Sequence, residues 1–143
     1  MLGALERLGS FPNKDRLVKF LVRLFLHFSP VFVAVFGSIP RGEAHAGSDI
    51  DVLVVAEDFP ESFGERYDQL NRFFVPGVDF RPLTRAEFQG MAERWDLTVL
   101  EVCHAHWFLY DPRGVGETVF REFERLRSGG KLVRGDFWWV VNA

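Results

Sequence analysis

Val31-Phe32-Val33-Ala34-Val35-Phe36-Gly37-Ser38-Ile39-Pro40-Arg41-Gly42 runs from an unbroken apolar stretch into a turn. Ser48-Asp49-Ile50-Asp51-Val52-Leu53-Val54-Val55 then runs from a loop into a second apolar stretch. Val31 to Phe36 is Val- and Phe-rich, short, and without polar alternation, which suits a strand buried on both faces. Gly37 breaks it, lets the backbone turn sharply and allows close approach of a ligand. Pro40 and Arg41 suit the first turn of a short helix. Free backbone N–H groups and the Ser38 hydroxyl at such a turn make an anion site, and phosphate is the usual anion.

Strand side chains alternate, so Asp49 and Asp51 project together, with Leu53 and Val55 behind them and Ile50, Val52 and Val54 on the other side. Two carboxylates at the end of an apolar strand repel unless a cation lies between them. Oxygen-only ligands of this kind suit Mg²⁺, or Mn²⁺ in its place, held through carboxylates and substrate phosphates. The bland alternative is that Ser48 or Asp49 caps a turn. It fails for Asp51, which lies inside the apolar run. Arg41 either contacts phosphate or pairs with an acid.

Gly37-Ser38, ten residues, then Asp49-x-Asp51 resembles the signature of the polymerase-β-like nucleotidyltransferase superfamily, and most closely its small stand-alone members, the minimal nucleotidyltransferases. Arg41-Gly42 and Ser48 match the same pattern; Pro40 departs from it, since a small residue is commoner there. The likeness extends in order and spacing from about Val31 to Tyr110. It implies an α/β (α+β) fold with a mixed sheet flanked by helices. It implies that Gly37, Ser38, Arg41 and Ser48 bind a nucleoside triphosphate, with ATP the expected one. It also requires a third carboxylate on a later strand, and Val78-Asp79-Phe80-Arg81-Pro82-Leu83 supplies Asp79, with Arg81 on the same face. Asp49, Asp51 and Asp79 would then be both the catalytic set and the ligands of two divalent ions about 3.5–4 Å apart. The implied reaction passes AMP from the triphosphate to an acceptor hydroxyl. In some minimal members that acceptor is a tyrosine of a small helical HEPN protein, and the nucleotidyltransferase is the antitoxin of the pair. The rival expectation is a non-catalytic nucleotide-binding or interaction subunit.

At 143 residues the chain reads as one domain, with a core over about 13–128 and an apolar tail over 131–143. Its net charge of −3 offers no basic field for a nucleic acid. No apolar run reaches transmembrane length, Met1-Leu2-Gly3 opens no signal peptide, and the single Cys103 excludes an internal disulfide framework, so the expected location is the cytoplasm.

Asn13 to Phe28 reads as a helix with Leu17, Phe20, Leu21, Leu24, Phe25 and Phe28 inward. A second is expected to start at Asp58 and Pro60, with the stripe Phe63, Tyr67, Leu70 and Phe74. Thr84-Arg85-Ala86-Glu87 is a capping box. Asp96 suits the cap of a short helix through Cys103, while Val99 and Val102 also suit a strand. Ala105 to Tyr110 reads as a strand, and Asp111-Pro112 starts a last helix that Ser128-Gly129-Gly130 ends. Phe137, Trp138, Trp139, Val140 and Val141 are expected to fold back on the domain or to join two copies of it. His104-x-His106 has the spacing of paired strand ligands but no third partner, and Arg134-Gly135-Asp136 carries no weight as an adhesion motif here.

Overall fold

The computed structural model describes residues 14–45, 47–135 and 139–141. Helix α1 (Lys14–His27) is followed by strands β1 (Pro30–Phe36) and β2 (Ile50–Ala56), helix α2 (Phe63–Leu70) and a 3-10 turn. Strand β3 (Val78–Thr84), helices α3 (Arg85–Glu93) and α4 (Leu97–His104), strand β4 (His106–Tyr110) and helix α5 (Val115–Ser128) come next. A hairpin of β5 (Leu132–Arg134) and β6 (Trp139–Val141) closes the order.

The main sheet has four strands in the order β3-β2-β1-β4. β1 is antiparallel to both β2 and β4, while β2 and β3 are parallel, so the sheet is mixed. All of β1 is buried, as its unbroken apolar run requires. Val33, Val35, Ile50, Val52, Val54 and Phe80 face α1, whose Leu17, Phe20, Leu21 and Leu24 are buried against them. Phe32, Ala34, Leu53, Val55 and Leu83 face Phe88 of α3, Val99 and Val102 of α4 and Phe123 of α5. The even and odd positions of each strand thus serve separate helical layers. Pro82 lies on β3, an edge strand, where a missing donor is tolerated.

Several expected starts are corrected. Residues 37–42 form turns with no helix at Pro40. α2 begins at Phe63, capped by the Ser62 side chain, while Asp58 accepts from the backbone N–H of Ser29 at 2.9 Å. The α2 stripe is also different. Phe63 and Phe74 are more than half exposed, and the buried residues of the helix are Leu70 and Arg66. Arg66 has no exposed surface because its guanidinium is fully occupied. It donates to the carbonyls of Pro60, Pro82 and Glu61 at 2.9–3.1 Å and pairs with Glu87 at 2.7 Å. Thr84 and Glu87 complete the expected capping box. Asp96 does cap α4, whereas α5 begins at Val115, after Gly114, later than the expected Asp111-Pro112, and Asp111 accepts from the N–H groups of Gly116 and Glu117 in its first turn.

The tail folds back as expected at Trp139. Its ring meets Phe123 edge-on with centroids 5.5 Å apart, and its Nε1 donates to Glu101 at 3.2 Å. Asn13, Phe137 and Trp138 lie outside the described residues. Among the described residues no helix is long and apolar enough to cross a membrane.

Candidate active site

The turn after β1 is organised by its carbonyls. Those of Gly37, Ser38 and Ile39 accept from the N–H groups of Arg41, Glu43 and Gly42. The N–H groups of Ser38 and Ile39 have no partner among the described residues, and neither does the Ser38 hydroxyl. Unpaired backbone donors in a turn are the kind of groups that can receive an anion. Gly37 has φ +82°, and a Cβ built on it would lie 2.6 Å from Oδ2 of Asp51. Glycine is therefore required on two counts: the backbone conformation and the closeness of the carboxylate.

Asp51 stands opposite Phe36 on one side and opposite Asp79 on the other. Both aspartates project from the face of the sheet that carries Leu53, Val55 and Leu83, as the alternation anticipates. Burial pushes the Asp51 carboxyl up to about 6, and the neighbouring Asp79 adds to this through its charge and a shared side-chain hydrogen bond. Arg81 offsets part of the rise and Asp49 adds to it. Asp79 is half exposed and 3.9 Å from Arg81, a weak contact of the kind that contributes little in water.

Asp49 is exposed, just outside β2. Among the described residues no three His, Cys, Asp or Glu side chains are gathered closely enough to hold a metal ion, so the three acids do not form one cluster in this arrangement. The donor set still fits a divalent cation. Asp51 and Asp79 are oxygen donors on adjacent strands, and burial together with the charge of Asp79 pushes the Asp51 carboxyl up.

Arg41 sits beside this turn and pairs with Glu43 at 3.0 Å. Ser48 lies in the following loop, where its hydroxyl accepts from the His45 N–H at 3.0 Å and its own N–H donates to the His45 carbonyl. The 42–48 loop is thus partly held by its own hydrogen bonds. His104 and His106 do not share a strand face, because His104 ends α4 and His106 begins β4. Cys103 is buried, and burial pushes its thiol up to about 12, which makes it inert. Sequence reasoning gave no role to Arg127 and Glu124, which approach the same turn from α5. Their only signal was a shared helical face with Phe120 and Phe123.

Residues 14–97 match the family described as nucleotidyltransferase domain, and the chain belongs to that family. No curated protein matches it significantly. Three solved structures are similar in fold. One is a Sulfolobus solfataricus protein assigned to the nucleotidyltransferases, with 23% identity, TM-score 0.42, and coverage of 62% of this chain and 78% of that one. Another is a toxin–antitoxin structure with AMP-PNP, with 19% identity, TM-score 0.46, and coverage of 82% and 91%. The third is a complex of a tri-AMPylated Shewanella oneidensis HEPN toxin with its MNT antitoxin, with 17% identity, TM-score 0.45, and coverage of 80% and 91%. At these values the likeness carries no argument about this chain.

Proposed function

We propose that this chain transfers AMP from ATP to an acceptor hydroxyl. The observation that supports the reading is the closeness of the Asp51 carboxylate to the turn after β1, its Oδ2 lying 2.6 Å from where a Cβ on Gly37 would be. The N–H groups of Ser38 and Ile39 and the Ser38 hydroxyl hold the terminal phosphates, with Arg41 beside them. Asp49, Asp51 and Asp79 would hold Mg²⁺ or Mn²⁺, which when bound neutralises charge on the triphosphate. Asp79 takes the acceptor proton as its oxygen bonds to the α-phosphorus. The bond from that phosphorus to the bridging oxygen breaks, and pyrophosphate leaves with the electron pair. The protein contributes position and electrostatic complementarity to these steps.

The acceptor in this reading is a tyrosine hydroxyl of a small helical HEPN protein, with the chain acting as its antitoxin. Two features support it: the motif resemblance to small stand-alone nucleotidyltransferases, and the net charge of −3, which disfavours a nucleic-acid acceptor. The test is incubation of the purified chain with ATP, Mg²⁺ and a co-expressed HEPN protein, read by intact-mass spectrometry. One added AMP on the partner, absent with Asp51→Asn, is the expected result. A second reading, a non-catalytic nucleotide-binding subunit, is favoured by the half-exposed Asp79 paired with Arg81. It predicts that ATP binds and is not consumed with any acceptor tried.

A further inference from the structure

Trp95 has φ +51°, and among the described residues it is the one non-glycine residue with positive φ. It stands just past α3, where the chain closes the helix. The Trp95 N–H donates to the Ala92 carbonyl at 3.2 Å, and the Asp96 N–H donates to the Met91 carbonyl at 2.9 Å. This pair of bonds is a Schellman closure, whose left-handed position is usually taken by glycine. A bulky side chain is strained there, and strain of this kind gathers at functional sites. The closure of α3 therefore gives no reason for a tryptophan.

Packing gives only part of one. The ring is half-buried and meets Phe123 of α5 in a tilted contact with centroids 6.3 Å apart. Its indole N–H has no hydrogen-bond partner among the described residues. The ring lines a groove of about 310 Å³ between the end of α3 and α5, together with Ala92, Glu93, Thr118, Val119 and Glu122. Thr118 turns its hydroxyl to the Gly114 carbonyl at 2.7 Å. The two charged residues of the lining are both acids, one from each helix. Glu93 has no ion-pair partner among the described residues. Glu122 accepts from Arg125 of its own helix at 3.0 Å. The nearest base along the chain, Arg94, stands 3.9 Å from Asp96 and is not part of the lining.

An aromatic face with carboxylates on two sides suits a cation. The ring attracts it through its quadrupole, and the acids pair with its N–H groups. A guanidinium suits it better than an ammonium, because it is planar, stacks on the indole and sheds water more readily. We infer that this groove is a docking site for a protein partner that lays an arginine side chain over Trp95, with Glu93 and Glu122 as its acidic contacts. Ala92 and Val119 receive the apolar residues beside that arginine, and the exposed Leu97 at the start of α4 adds to the same apolar surface. The strained tryptophan then serves the partner and not the helix end. None of these residues belongs to the turn after β1 or to the acids of β2 and β3, so the inference stands apart from the nucleotide reading.

The experiment follows the indole N–H signals of the whole chain by heteronuclear NMR, with Trp95 assigned by the signal lost in Trp95→Phe. The probes are acetyl-Leu-Arg-Leu-amide and the same peptide with citrulline, which keeps the shape of arginine without its charge. The arginine peptide should shift the Trp95 signal to saturation, and the citrulline peptide should bind about fivefold or more weakly. Glu93→Gln combined with Glu122→Gln should bring the arginine peptide down to the citrulline level, while ATP with Mg²⁺ binds as in the wild type. Melting curves establish that each variant is folded. No saturable shift at Trp95 would overturn the groove as a site. Equal affinity for the two peptides, or an arginine peptide indifferent to the double variant, would overturn the cationic occupant.

Discussion

Oδ2 of Asp51 stands 2.6 Å from the point where a Cβ on residue 37 would be, so the carboxylate occupies space that only a glycine leaves open. The turn after β1 and the acidic strand end are therefore one construction. Gly37→Ala adds the missing atom in a backbone conformation of φ +82° that alanine resists. It should cost about 1–3 kcal/mol of stability and displace Asp51. Nucleotide affinity, measured by titration with ATP and Mg²⁺, should fall even in the fraction that remains folded.

Asp51 should make the metal-free protein less stable as pH rises. Its carboxyl is pushed up from 3.8 to about 6, so the folded state favours the protonated form. This contribution is present at low pH and is lost as pH rises through about 4 to 6. His106 acts in the opposite sense. Burial holds it below 6.5, so its contribution is present above that pH and is lost as pH falls. Melting curves across pH 4 to 8 should show Asp51→Asn lacking the acid-side gain, and at pH 7 the metal-free variant should melt at or above the wild type. Mg²⁺ with nucleotide should reverse that order, since binding to the folded state adds about 2.7 kcal/mol at a hundred times the dissociation constant. A drop of several degrees in metal-free Asp51→Asn would instead assign Asp51 a structural bond.

Arg66 should be among the most costly residues to truncate. Arg66→Ala leaves the carbonyls of Pro60, Glu61 and Pro82 without their donor and removes the ion-pair partner of Glu87. A loss of about 3–5 kcal/mol in urea unfolding is expected, the range for breaking a buried pair from one side. Glu87→Gln should cost less, because Glu87 is partly exposed and its amide can still receive the Thr84 N–H.

Gly116 sets how closely α5 approaches the sheet. A Cβ there would meet the Phe32 ring at 2.6–2.9 Å. Gly116→Ala raises helix propensity and should nonetheless destabilise by about 1–3 kcal/mol, the usual cost of overpacking. A gain in melting temperature would show that α5 can shift outward freely.

Trp139 anchors the C-terminal hairpin through Phe123 and Glu101. Trp139→Ala should lower stability by on the order of 1–2 kcal/mol through lost burial and one lost hydrogen bond. Light scattering that shows the variant changing oligomeric state, with its melting point unmoved, would assign the residue to an interface between copies instead.

How much of this was legible in the chain depends on how local each cause is. The unbroken run Val31 to Phe36, the alternation around Asp51 and the Thr84–Glu87 box are set by neighbours a few residues apart, and each appears where the sequence places it. Alternation likewise put Asp51 and Asp79 on one side of their strands. The partnership of those two acids was expected only from the family resemblance, not from any spacing along the chain. It comes from the parallel register of β2 and β3, which sets them opposite each other across a chain separation that no spacing rule spans. The expected α2 stripe went wrong for a related reason. Phe63, Tyr67 and Phe74 have helical spacing, but the inner position went to Arg66, because carbonyls brought in from residues 60, 61 and 82 could satisfy a guanidinium there.

By itself the sequence determined a buried glycine-broken strand, a second strand opening on two acids, and the family to which residues 14–97 belong. The tertiary structure decided which acid is pressed against the turn, which charge lies next to it, and which helix closes the space beyond. Side-chain type and strand period act over a few residues and can be read along the chain. Desolvation, register and the approach of α5 to the turn after β1 arise between segments far apart in sequence, and they exist only once the sheet has formed.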